Sequence, residues 1–161
     1  GFYRINQTST RDVDGNKLTA NYNEGIAYNY KSISGYTSDP DRNQLLFMKQ
    51  MGYAICGDVM NVVNTSVLGA DSILGVKYVL SSYDIPGLKK LENIEPGNGK
   101  SVYYNPYALP VAFTYESSIC YRIQRKRNEF LYQNQLFSYL SGQNVQVNKR
   151  IEQSQRQIPI R

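Results

Sequence analysis

Residues Asn29-Tyr-Lys-Ser-Ile-Ser-Gly-Tyr-Thr-Ser38 concentrate hydroxyls and aromatic rings in one short run. A tyrosine offers a sugar both a flat apolar face and a hydroxyl, and serine adds a further donor and acceptors. Tyr30, Ser34, Tyr36 and Ser38 are therefore the candidate contacts for a glycan or a hydroxylated polymer. The plainer reading is a turn held by its own hydrogen bonds. A second cluster, Arg122, Arg125, Lys126 and Arg127, would attract a polyanion through salt-sensitive forces. Its plainer reading is a solvated helix face.

The remaining inventory excludes much chemistry. Histidine is absent, which removes imidazole acid-base catalysis, His-based triads and His-ligated zinc from this chain. Asp12/Asp14 and Asp39/Asp41 occur in turn contexts, where aspartate is favoured for capping and local hydrogen bonds. Asp58 and Asp71 are isolated carboxylates, short of a calcium site. Gly69–Gly75 lacks the Lys-Ser/Thr of a phosphate-binding loop and precedes a strand instead of following one. Cys56 and Cys120 read either as buried free thiols or, facing an oxidising exterior, as a disulfide. Lys77, inside an apolar strand, reads as a side chain that carries its charge out to water. No catalytic residue, metal ligand or cofactor is assigned.

The composition suits a folded domain. The chain has 161 residues, 41% hydrophobic and 19% charged, enough to bury an ordinary core. No apolar run approaches the roughly 18 residues that span a bilayer. Tyrosine is abundant, with 15 residues against 5 phenylalanines and no tryptophan, which fits both a wet surface and strand propensity. The net charge of +5 is uneven: residues 122–161 carry +6 and residues 1–121 carry −1. Such a basic segment suits phosphate polymers or anionic head groups; no groove-reading motif accompanies it, so nucleic acid is not an expected partner.

These residues need elements to hold them. Phe2–Ile5 reads as a strand, and the alternation of Ile26, Tyr28 and Tyr30 predicts another over 25–34. Ser38-Asp39-Pro40 reads as a helix start, with Gly52 as its stop. A short strand is expected near Val59–Val63. Thr65 or Ser66 is expected to cap a short helix through Leu74, after which Gly75 releases the chain into a buried strand, Val76–Leu80. Residues 88–94 and 101–104 predict a hairpin around Pro96-Gly-Asn-Gly99. Leu109–Tyr115 reads as a further strand. Asn128 is expected to cap a helix that Gly142 ends. The expected fold is mixed α/β (α+β): one domain over 1–142, with a mixed sheet of about five or six strands and about three packed helices. Residues 143–161 are expected to be an extended basic tail, the opening of a following domain.

Several segments, in order, carry a family resemblance: Phe2-Tyr-Arg-Ile5, Tyr28-Asn-Tyr30 with Ile33–Ser38, Asp71–Ser81, Tyr104–Phe113 and Asn134–Gly142. Together they resemble the extracytoplasmic part of the YfhO-type bacterial membrane proteins. The resemblance implies a piece of a polytopic membrane protein that transfers sugar from a polyprenyl-phosphate carrier to teichoic-acid polymers of the cell envelope. Transfer chemistry is then expected on acidic residues of loops upstream of this segment, and no such motif is present here. The implied role is a non-catalytic domain on the outer face of the cell membrane that guides the acceptor or covers the active site. Its partners would be its own transmembrane region and an anionic envelope polymer. An independent carbohydrate-binding module and a structural spacer are the alternatives.

Overall fold

Val76–Ser81 is the strand around which the molecule is built: Val76 and Val79 are fully buried and Gly75 turns the chain into it. Gly75 adopts φ +68°, and a Cβ there would lie 3.1 Å from the Leu109 carbonyl oxygen. Glycine is the residue that tolerates both conditions. The computed structural model describes residues 1–8, 23–36, 39–53, 63, 65–94, 99–123 and 128–147. In chain order the elements are β1 (Arg4–Gln7), α1 (Glu24–Ala27), α2 (Arg42–Gln50), α3 (Leu68–Ile73), β2 (Val76–Ser81), β3 (Lys89–Lys90), β4 (Ser101–Tyr104), α4 (Ile119–Arg122) and α5 (Glu129–Ser141).

The fold is the expected mixed α+β domain, with one sheet in the order β1-β2-β4-β3. β1 runs parallel to β2, with Asn6 opposite Val79 and Gln7 opposite Leu80. β4 runs antiparallel to both β2 and β3. The β3–β4 hairpin is as expected, while its tip at 95–98 lies outside the described residues. Among the described residues the sheet has four strands, fewer than expected. The three expected helices are α2, α3 and α5, and α1 and α4 are single turns.

Two expected strands are not strands. The 25–34 segment begins in α1 and then meets the edge of β1 only briefly, through the Lys31 carbonyl, which accepts from Ile5 N–H at 2.8 Å, and an isolated parallel bridge between Ser32 and Ile5. Ile26 and Tyr28 are exposed, so their alternation marked no buried face, and without one the period-two pattern loses its meaning. Leu109–Tyr115 is irregular; Leu109 N–H donates to Ser72 O on α3 at 2.9 Å instead of joining the sheet. Pro110 removes one donor from any ladder there. The strand expected near Val59–Val63 lies outside the described residues apart from Val63.

Helix ends follow side-chain chemistry with two corrections. Asp41, not Ser38 or Asp39, caps α2, accepting from Gln44 N–H at 2.8 Å. Val67, not Thr65 or Ser66, holds the cap position of α3 and has no side-chain acceptor to offer; the Ser66 hydroxyl donates to Asp71. Asn128 caps α5 as expected, accepting from Phe130 and Leu131 N–H, and Gly142 ends that helix.

The core lies between the sheet and α2, α3 and α5, with Met51, Val63, Ala70, Val76 and Val79 fully buried. Gln133 of α5, itself buried, donates to the Met51 carbonyl at 3.0 Å, satisfying the end of α2 from a neighbouring helix.

Candidate functional site

An apolar cleft of about 520 Å³ lies at the end of the sheet where β2 begins. One wall is α3, through Leu68 and Gly69; another is α5, through Phe137 and Leu140; the irregular segment 107–115 closes the third side. Gly69 allows the two helices to meet, since a Cβ there would fall 2.9 Å from Phe137 Cε2. The hydrogen bond from Leu109 N–H to Ser72 O pins the third wall to α3. Tyr107, Leu109, Phe113, Tyr115 and Val147 all line this cleft while remaining exposed, Tyr107 at 59% and Tyr115 at 51%. Polar groups are few: Ser72, Thr114 and Ser141. The expected strand Leu109–Tyr115 supplies this wall: Leu109, Phe113 and Tyr115 line the cleft instead of joining the sheet.

Beneath α3 sits a buried carboxylate. Asp71 accepts from Asn6 Nδ2 at 3.1 Å, Tyr53 OH at 2.7 Å and Ser66 Oγ at 2.5 Å. These donors come from β1, from the end of α2 and from the approach to α3, so one side chain ties three segments. Burial pushes the Asp71 carboxyl up to about 6, against the opposing pull of its hydrogen-bond donors. Burial, then the Asp71 charge, raises the Tyr53 phenol well above its ordinary value. Among the described residues, no group of three His, Cys, Asp or Glu converges on one point. Asp71 thus serves as a structural hub with neutral partners. Its sequence signal was a lone carboxylate in the otherwise uncharged run 59–76.

Of the sequence candidates for polymer contact, Tyr30, Ser34, Tyr36 and Arg122 lie among the described residues. Tyr30 is half-buried, and its hydroxyl accepts from Gln7 Nε2 at 2.8 Å. The Ser34 hydroxyl is occupied by the backbone of Val63, from whose N–H it accepts at 3.1 Å. Tyr36 is exposed, and its backbone is clamped by Asn23, whose Oδ1 accepts from Tyr36 N–H at 2.8 Å. Arg122 is exposed at the end of α4. Ser38, Arg125, Lys126, Arg127 and Cys56 lie outside the described residues, as does the Cys120 side chain. Tyr30 and Ser34 therefore turn inward, and Tyr36 and Arg122 outward. Lys77 is half-buried, with its ammonium over the Tyr3 and Tyr78 rings.

Among the described residues, no helix is long and apolar enough to cross a membrane. A family model described as bacterial membrane protein YfhO matches residues 1–159. No curated protein and no solved structure matches the chain.

Proposed function

Because the chain belongs to the YfhO family of bacterial membrane proteins, we propose that it is a non-catalytic extracytoplasmic domain covering the active site of a membrane glycosyltransferase. The parent would transfer sugar from a lipid-linked donor to an envelope polymer such as teichoic acid. The observation that carries this reading is the cleft: five exposed large apolar side chains converge on it. A contiguous apolar surface rimmed by polar residues is a feature of interaction sites. In a membrane protein the nearest apolar partner is the protein's own transmembrane region, and a domain seated there excludes water from the donor site. The inward turn of Tyr30 and Ser34 favours this covering role over polymer contact by the 29–38 loop.

The test is made in the full-length membrane protein with Phe113→Asp and Tyr115→Asp combined. Both positions are exposed, so the domain itself should keep its stability. The expected result is a severalfold loss of sugar on the envelope polymer at unchanged protein abundance. Full sugar content in the double variant would overturn the reading.

A further inference from the structure

At the end of the sheet opposite the cleft, Lys100 is buried at 3% exposure immediately before β4. An ammonium carries three donors, and Lys100 Nζ uses one, donating to Gln7 Oε1 at 3.2 Å. The same carboxamide donates through Nε2 to the Tyr30 hydroxyl oxygen at 2.8 Å. Among the described residues, no acceptor is recorded for the Tyr30 hydroxyl proton or the two remaining ammonium protons. Glu24 acts on Lys100 from a distance, without a direct ion pair, and burial lowers the lysine from its ordinary value. The adjoining hydroxyls are already committed: Thr8 donates to Ser81, and Ser81 donates to Tyr83 O.

Among the described residues no carboxylate pairs directly with Lys100, and a buried ammonium without such a partner is costly, so the site favours an anion that supplies one. The position is also apt, because Gln7 and Leu80 end a parallel strand pair side by side, and open α/β sheets bind ligands beyond the carboxyl ends of parallel strands. We propose that this end of β1 binds a phosphate or phosphate-ester group, with Lys100 as the charge and Tyr30 as the second donor across the Gln7 amide. A phosphate suits it because several acceptor oxygens on one centre can meet donors arriving from different directions. The inference rests on donors left over around Gln7 and does not depend on the cleft or on glycosyl transfer.

The experiment is a titration of the 161-residue chain with inorganic phosphate at constant ionic strength, chloride serving as control and backbone amide shifts as readout. Saturable shifts at Gln7, Thr8 and Lys100 are expected in the unsubstituted protein. Lys100→Met should weaken binding about tenfold or more, the factor for a lost charge-assisted hydrogen bond. Tyr30→Phe removes a single hydroxyl and should weaken it severalfold, so the test survives even a poorly folding Lys100→Met. Vesicles of phosphatidylglycerol against phosphatidylcholine then separate a lipid head group from free phosphate as the source. An absent saturable shift, or shifts that persist in both variants, would overturn the proposal.

Discussion

Gly69 of α3 and Phe137 of α5 are packed so closely that a Cβ on the first would lie 2.9 Å from Cε2 of the second. The contact lies in the wall of the cleft, where α3 and α5 approach each other. Gln133 Oε1 lies 3.1 Å from the same Cβ position, so the Phe137 ring cannot simply yield toward that neighbour. Gly69→Ala should therefore destabilise the fold by about 1–3 kcal/mol, the range for overpacking a filled interior. Urea unfolding checks this, with a lowered midpoint at unchanged slope as the expected outcome.

Asp71 gives the chain a pH dependence with a definite sign. Its folded value of about 6 stands above the ordinary 3.8, so the folded state holds the proton more tightly than the unfolded one. The stabilisation from this group is fully present below about pH 4 and is lost as pH rises through about 6. The linked change is about 3 kcal/mol. Subtracting the stability curve of Asp71→Asn from that of the unsubstituted protein between pH 3.5 and about 7.5 isolates the effect. The difference should shift against the native protein as pH rises, and a flat difference would refute the assignment.

Gln133 supplies a polar tie within an apolar interface, through its bond to the Met51 carbonyl at 3.0 Å. Gln133→Leu leaves that carbonyl without this donor, and a buried unsatisfied group costs about 1–3 kcal/mol. Thermal unfolding should show a lowered midpoint, and amide exchange at Tyr53, whose N–H donates to Met48 O, should quicken as the end of α2 loosens.

What the sequence disclosed followed from local chemistry. Asn128 and Gly142 bounded α5 correctly because a capping amide and a left-handed stop act within a few residues. Gly75 and the apolar run after it located β2 for the same reason. The 25–34 segment failed because Ile26 and Tyr28 alternate without a face to bury, a fact visible only in three dimensions. Leu109–Tyr115 failed because Leu109, Phe113 and Tyr115 line a cleft made with α3 and α5, elements distant in sequence. Thr65 or Ser66 suits a cap locally, yet Val67 holds that position and the Ser66 hydroxyl goes to Asp71. The Gln7–Lys100 bond spans 93 positions and left no local trace.

The covering role is tested most directly by photo-crosslinking in the full-length membrane protein. A benzophenone side chain replaces Phe113, at the cleft, or Tyr83, exposed beyond the opposite end of β2. Crosslinks are expected from position 113 into the membrane-spanning part of the same chain, and none from position 83. Equal crosslinking from both positions, or none from 113, would contradict it.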